Sequence, residues 1–321
     1  MTGIKMAAAE LRAILGEGRV TENEPLAAHC SFRTGGPADL FVRAGTAGEL
    51  QKVLRCLNEA GIPVFLLGKG TNILAGDGGY RGAVVTLSGE TREAGEPEGD
   101  LPDTLASVSV DRERRIIRAG GGAALRDAAL AARDSSLAGL EFAAGIPGSI
   151  GGAVMMNAGA YGGEMKQVVR RVRLMTYEGE IEEKSGEEMA FGYRTSILKT
   201  APAVVLDAQM ELTEGSREEI AEQIARLGRE RAQKQPLEFA SAGSTFKRPE
   251  GYFAGKLIMD AGLKGYRIGD AQVSEKHAGC LINRGNATSA QVRALIDEVT
   301  RIVLEKSGVA LEREVIYLGE F

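Results

Sequence analysis

Two glycine-rich stretches are places where main chain, rather than side chain, could do chemistry. The first is Gly68-Lys69-Gly70-Thr71-Asn72, at the end of a short apolar run. Glycine lets backbone approach a ligand closely, and successive N–H groups in a turn make a nest for an anion such as a pyrophosphate. Ile73 stands where the third glycine of a G-x-G-x-x-G fingerprint belongs, and G-x-x-x-x-G-K-[ST] occurs nowhere, so neither the Rossmann nor the Walker pattern is met. A tight left-handed turn accounts for the same residues without a ligand. The second stretch runs Gly145-Ile146-Pro147-Gly148-Ser149-Ile150-Gly151-Gly152-Ala153 and continues through Met155-Met156-Asn157-Ala158-Gly159-Ala160-Tyr161-Gly162-Gly163. So many glycines are costly in backbone entropy, and turn-making alone needs fewer. A ligand touching main chain explains the excess; two adjacent hairpin turns are the alternative.

Side chains that could move a proton or hold a charge fall in three later segments. These are Tyr193-Arg194-Thr195-Ser196, Ala242-Gly243-Ser244-Thr245-Phe246-Lys247 and Leu311-Glu312-Arg313-Glu314-Val315. Taken singly, each reads as a surface cation, a turn serine or a solvated carboxylate. His29 and His277 are far apart and neither joins a cluster spaced for a metal, so no metal site is expected. Ser244 is outside any G-x-S-x-G, which leaves a serine-hydrolase triad poorly supported.

The elements that must position these residues are legible in outline. Leu50, Val53, Leu54 and Leu57 share a helical face that Gly61 and Pro63 end, and apolar runs at 62–67 and 83–87 read as strands, a β-α-β rhythm. Residues 89–104 are acidic, hold two prolines and lack periodicity, as in an exposed loop. A β-rich stretch follows, with a helix at 123–133, alternation at Val172, Leu174 and Thr176, and Val204, Leu206, Ala208, Met210 and Leu212 on one strand face. Ser216 with Glu219, and Thr288 with Gln291, make capping-box patterns that open two helices. Residues 314–318 read as a terminal strand.

The chain has 321 residues, enough for two or three domains and a cleft. Its 43 glycines are about 13%, nearly twice the usual share of roughly 7%. A net charge of −5 without a basic block argues against nucleic acid and favours small polar ligands. Three scattered cysteines, Cys30, Cys56 and Cys280, fit reduced cytosol better than a disulfide framework. Glu10 and Arg12 interrupt the place where a signal peptide would be apolar, so a cytoplasmic, untargeted chain without membrane insertion is expected.

Taken in order, the segments resemble the UDP-N-acetylenolpyruvoylglucosamine reductases. The resemblance runs through Ser31-Phe32-Arg33-Thr34-Gly35-Gly36-Pro37-Ala38-Asp39, residues 68–74, residues 145–161, Phe191-Gly192-Tyr193-Arg194, Gly243-Ser244-Thr245-Phe246 and residues 311–315. It implies an α+β chain: an FAD-binding fold of the vanillyl-alcohol oxidase type, made of two α/β subdomains, followed by a C-terminal α/β substrate-binding domain. The boundaries it implies are 1–88 for the first FAD-binding subdomain, joined by a C-terminal strand at 312–321, then 89–213 for the second and 214–311 for the substrate domain. Because Gly162-Gly163-Glu164 follows Tyr161 directly, the chain is similar to the shorter subclass that lacks an inserted tyrosine loop.

The same resemblance implies a chemistry. Non-covalent FAD is reduced by NADPH and passes a hydride from N5 to C3 of the enolpyruvyl ether, giving UDP-N-acetylmuramate for peptidoglycan synthesis. Arg194 matches the arginine that holds the developing enolate, Glu314 the carboxylic acid that assists it, and Ser244 the acid that protonates C2. Cofactor contacts fall to Arg33, Gly68, Lys69, Gly70, Thr71, Asn72, Gly145, Ile146, Pro147, Gly148, Ser149, Gly151, Gly152 and Ala153. Substrate contacts fall to Tyr193, Lys234, Lys247 and Arg248, the last replacing an asparagine of many relatives. No covalent-attachment motif is present, although His29 lies close to the first motif, and no obligate protein partner is implied. A flavin oxidase of the same fold, and a UDP-sugar-binding protein without turnover, are the competing readings.

Overall fold

The computed structural model describes residues 3–89 and 104–321. Most of the acidic stretch read as a loop, 90–103, therefore lies outside the described residues. Two compact units emerge: Met1–Glu22 with Leu40–Lys69 and Gly82–Arg229, and Asn23–Asp39 with Gly70–Arg81 and Glu230–Phe321.

The first unit contains helices α1 (Gly3–Leu15), α2 (Ala47–Glu59), α3 (Leu125–Asp134) and α4 (Ile150–Met155). Helix α2 starts where the sequence pattern asks, because Thr46 Oγ1 accepts from Glu49 N and the Glu49 carboxylate accepts from Thr46 N, a complete capping box. The same carboxylate is buried against Arg19, whose Nη1 donates to it at 2.9 Å. Ala8 and Leu11 of α1 and Leu50, Val53 and Leu54 of α2 are fully buried in a core shared with Leu40, Val42, Ala83 and Val85. There the strand Val64–Leu66 runs parallel to Tyr80–Leu87.

A second core in this unit lies under a five-stranded antiparallel sheet in the order Ile181–Ser185, Val169–Thr176, Ala203–Glu211, Ile116–Gly120, Val108–Asp111. The strand Ala203–Glu211 departs from the single apolar face expected of it. Val204, Leu206, Ala208, Met210 and Leu212 do not share a face: Val204 and Leu206 pack in the first core, Ala208, Met210 and Leu212 in the second. The cause is a register shift opposite Arg173 and Leu174, which inserts one residue and turns the strand's alternation over. The second glycine stretch also differs from a pair of hairpins. It forms α4, capped by Ser149, whose Oγ accepts from Gly152 N at 3.3 Å. A two-residue pairing of Gly159–Ala160 with Gly163–Glu164 follows.

The second unit is built on α6 (Ala254–Asp260) and α7 (Ser289–Ser307), after most of α5 (Arg217–Lys234) has closed the first. Thr288 and Gln291 form the full capping box of α7. At α5 the box is half made: Ser216 Oγ accepts from Glu219 N at 3.4 Å, while the hydroxyl faces Glu218. Val292, Leu295, Ile296, Val299 and Val303 of α7 pack on Ile258, Leu281, Phe246 and Leu74. A three-stranded antiparallel sheet orders Arg267–Ile268, Ala271–Val273 and Leu281–Asn283, and the terminal strand Ile316–Leu318 runs parallel to Ile73–Ala75.

Candidate functional site

Within the first unit, two loops, 120–125 and 148–151, meet through main chain. Gly151 N donates to Gly121 O at 2.8 Å, Ile150 N to Ala123 O at 2.9 Å, and Leu125 N to Gly148 O at 2.9 Å. Gly121 N donates in turn to Leu206 O at 2.8 Å. A Cβ on Gly121 would overlap the Val205 carbonyl, one on Gly122 would come within 2.5 Å of Leu87 O, and one on Gly68 within 2.5 Å of Ser149 Oγ. Glycine is needed here for approach, not for turning. Around the buried Ser149, residues Gly68, Lys69, Gly145, Pro147 and Gly152 are exposed, with Ile146, Gly148 and Gly151 half-buried and Ala153 buried. The triplet Gly120-Gly121-Gly122 belongs to this cluster although its sequence gave no sign beyond its composition.

The same unit holds Tyr193 and Arg194. Arg194 has φ 54 in a turn closed by Gly192 and Thr195, and its Nη2 donates to Gly159 O at 3.2 Å. Asn157 fixes that turn from below. It is fully buried with φ 41, and its Nδ2 donates to Gly192 O and to Glu164, both at 3.0 Å, while Oδ1 accepts from Lys166 N at 2.9 Å. Ser196 Oγ adds a bond to Met155 O at 2.9 Å. Tyr193 is exposed, with the Arg194 guanidinium 5.4 Å from its ring centre. Arg33, Asn157, Tyr161 and Arg194 are all non-glycine residues at positive φ, a strain that recurs at functional segments.

In the second unit, residues distant in sequence come together. Gly70 has φ 63, and a Cβ on it would overlap the His29 carbonyl; its own carbonyl accepts from Ser31 N at 3.0 Å. Asn72 reaches the last segment, with Nδ2 donating to Glu314 O at 3.2 Å and its carbonyl accepting from Ile316 N at 2.9 Å. Glu314 N donates to Thr245 O at 2.8 Å, and Phe246 bridges Arg313 antiparallel. Glu314 therefore stands opposite Thr245, the neighbour of Ser244, on segments joined by isolated bridges. Ser244 is exposed, Glu314 half-buried. Asn283 ties in the first motif, donating from Nδ2 to Phe32 O at 2.9 Å while Oδ1 accepts from Gly285 N and Ala287 N at 2.8 and 3.0 Å.

The remaining candidates lie on the outside of this unit. Lys247 is paired with Glu312, and Lys234, at the end of α5, with Glu230 at 3.4 Å. Arg248 is exposed, its guanidinium 3.9 Å from the Phe253 ring centre and its Nε donating to Tyr252 O at 3.3 Å. Thr71 is half-buried and Arg33 exposed. Among the described residues no group of three His, Cys, Asp or Glu is placed to hold a metal, and no helix is long and apolar enough to cross a membrane.

The family model of an FAD binding domain matches residues 38–185, and that of the UDP-N-acetylenolpyruvoylglucosamine reductase C-terminal domain matches residues 235–318. The UDP-N-acetylenolpyruvoylglucosamine reductase of Lachnoclostridium phytofermentans is 49% identical over 311 residues, covering 97% of this chain and 96% of its own. The chain belongs to the UDP-N-acetylenolpyruvoylglucosamine reductase family. A second member, from Clostridioides difficile, is 47% identical over 307 residues, 96% of each chain. The crystal structure of the Thermus caldophilus reductase superposes with a TM-score of 0.75 at 32% identity, covering 94% of this chain and 99% of that one. Membership makes this chain an FAD-dependent oxidoreductase with the α+β architecture of the family, an FAD-binding fold followed by the C-terminal domain.

Proposed function

We propose that the chain reduces UDP-N-acetylenolpyruvoylglucosamine to UDP-N-acetylmuramate, a cytoplasmic step in making peptidoglycan precursors, with NADPH as the source of electrons. The observation that carries this reading is that the segment following Ser244 pairs with the Glu314 segment, Glu314 N donating to Thr245 O, in a chain that matches the family along nearly its whole length.

The residues present fit the cofactor. Main chain at the exposed Gly68, Lys69, Gly145, Pro147 and Gly152 and the half-buried Ile146, Gly148 and Gly151 would hold the diphosphate of FAD, where side chains would stand in the way. In the second unit Arg33, Gly70, Thr71 and Asn72 would contribute. Ser31 Oγ and Thr34 Oγ1 there are buried without a hydrogen-bond partner among the described residues, as donors awaiting a ligand would be. His29 is engaged with Glu24 at 2.8 Å, which supports a non-covalent flavin. When bound and reduced by NADPH, FAD supplies the hydride that C3 of the enolpyruvyl ether receives.

The chain's own residues handle what that transfer leaves behind. Negative charge grows on the substrate carboxylate as an enolate, and the Arg194 guanidinium, held at Gly159 O by a strained turn, is a fixed positive charge to receive it. A protonated Glu314 would share that charge by donating a hydrogen bond. Ser244 delivers the proton to C2, a task in which placement counts for more than acidity because the enolate carbon is a strong base. Tyr193, Lys234, Lys247 and Arg248 would contact the UDP-sugar.

Rapid mixing tests the assignment. Anaerobic NADPH bleaches the flavin, and the enolpyruvyl UDP-sugar restores the oxidised bands. Ser244→Ala leaves bleaching within about twofold and slows recovery by about 10²- to 10⁴-fold, the usual worth of a positioned acid. Equal loss in both steps, or no recovery with that substrate in the unaltered protein, overturns the reading.

A further inference from the structure

The Ser244–Thr245 strand rests on a hairpin, residues 274–280, that contains His277. Thr245 N donates to Gly279 O at 2.9 Å, and Ser244 bridges Cys280 antiparallel. Gly279 N donates to His277 Nδ1 at 3.2 Å, which requires that nitrogen to be bare. Cys280 N donates back to His277 O at 2.9 Å, and Ser274 Oγ accepts from His277 N at 3.2 Å, so the hairpin closes on itself around the imidazole. The ring has no slack. A Cβ on Gly279 would come within 2.9 Å of its Cε1, and one on Gly255 of α6 within 3.5 Å of the same atom.

We propose that His277 is a positioning residue for Ser244: its unprotonated Nδ1 holds the Gly279 amide, and through the Gly279 carbonyl the strand that presents the proton donor, so that protonating the ring loosens Ser244 and slows substrate reduction as pH falls. The proposal rests on the reductase reading for its kinetic form.

The surroundings favour the neutral ring. Burial holds the His277 imidazole below the ordinary value of 6.5; the residue's own main chain pulls the other way, and the charge on Lys264, a smaller effect than that pull, adds to the lowering. Nearby, α6 carries Lys256, paired with Asp260 at 2.7 Å. The hairpin itself carries Glu275 and Lys276, the latter donating to Ala232 O at 2.7 Å. The Cys280 sulfur lies 3.6 Å from Nδ1, and burial lifts its thiol to about 11 although Arg231 opposes this, so it stays uncharged. The sign follows. A histidine whose value is depressed in the folded protein keeps its arrangement above 6.5 and loses it as pH falls through the depressed value.

The test uses His277→Asn, whose Oδ1 stands where Nδ1 stood but cannot titrate, beside His277→Ala. With FAD-loaded protein, bleaching by NADPH is the same in all three proteins. Flavin recovery on adding the enolpyruvyl UDP-sugar falls about 10- to 100-fold in His277→Ala, as a displaced catalytic group would cause. In His277→Asn recovery stays within about threefold at pH 7.5 and loses the decline that the unaltered protein shows at acid pH. Asparagine as slow as alanine, an unchanged acid decline in His277→Asn, or full speed in His277→Ala overturns the proposal. Hydrogen exchange in the protein without substrate reads the same joint independently of turnover. The Gly279 and Thr245 amides lose protection as pH falls in the unaltered protein and keep it in His277→Asn; equal protection profiles refute the role even if the reductase reading stands, and the amide result holds if that reading fails.

Discussion

In the first unit, the loops at 120–123 and 148–152 hold one another through main chain alone, with Gly151, Ile150 and Leu125 amides bonded to Gly121, Ala123 and Gly148 carbonyls. In the second, the Ser244 and Glu314 strands are held by side chains as well. Asn72 reaches Glu314 O, Asn283 reaches Phe32 O, and Thr245 Oγ1 accepts from Leu281 N at 3.2 Å. The difference matches the tasks. A cradle for a diphosphate needs many backbone donors and no bulk, whereas one hydroxyl that must meet one carbon needs its strand fixed in several directions. It also separates two kinds of fragility: the first region should fail by crowding, the second by loss of a hydrogen-bonding group.

The largest effect expected on this contrast is Gly121→Ala. The added methyl would overlap the Val205 carbonyl, which is main chain and cannot turn aside, so a loss of about 3 kcal/mol is expected by denaturant unfolding together with reduced FAD content on purification. A variant that retained full flavin and stability would show that the loops have slack and that the crowding argument is wrong. Asn283→Ala comes next. It strands the Gly285 and Ala287 amides and the Phe32 carbonyl, for about 2 kcal/mol, with a slower flavin recovery, and because the Arg33 loop would contribute to FAD, flavin binding weakens too, though less than in Gly121→Ala. If flavin binding fell as far as in Gly121→Ala, the division of labour between the two regions would not hold.

Much of the first region is legible in the sequence because glycine excess is a compositional signal that survives without knowing the fold. Its details are not. Helix α4 has six residues, two of them glycines, and forms because Ser149 caps it and Val154 and Ile150 are buried, facts of tertiary structure that override propensity. Gly121 carries no local mark because a triplet before a helix looks like a turn, whereas its methyl-free Cα is what the Val205 carbonyl requires. The second region was legible only through resemblance. The residues meeting at Glu314 are separated by up to 242 positions, and single-bridge pairings such as Phe246 with Arg313 leave no periodicity to read. Asn283, at the end of an apolar strand and ahead of Arg284-Gly285-Asn286, has the appearance of a turn residue, and nothing local marks it as the tie to Phe32.

The smallest effect sharpens the contrast most, because it places a glycine substitution in the side-chain-held region. Gly243 has φ 71 with open space where a Cβ would go, so Gly243→Ala meets no obstruction and incurs only the left-handed penalty, about 1 kcal/mol. Flavin content should be unchanged. Because Thr245 remains bonded to Gly279, Leu281 and Glu314, the neighbouring Ser244 should keep its place, and flavin recovery by substrate should stay within about threefold, as a shift too small to cost a tenfold misplacement allows. A drop as large as that of Asn283→Ala would mean that the turn at Gly243, and not the bonds beyond it, sets the position of Ser244. The comparison would then reduce to two regions that both depend on backbone.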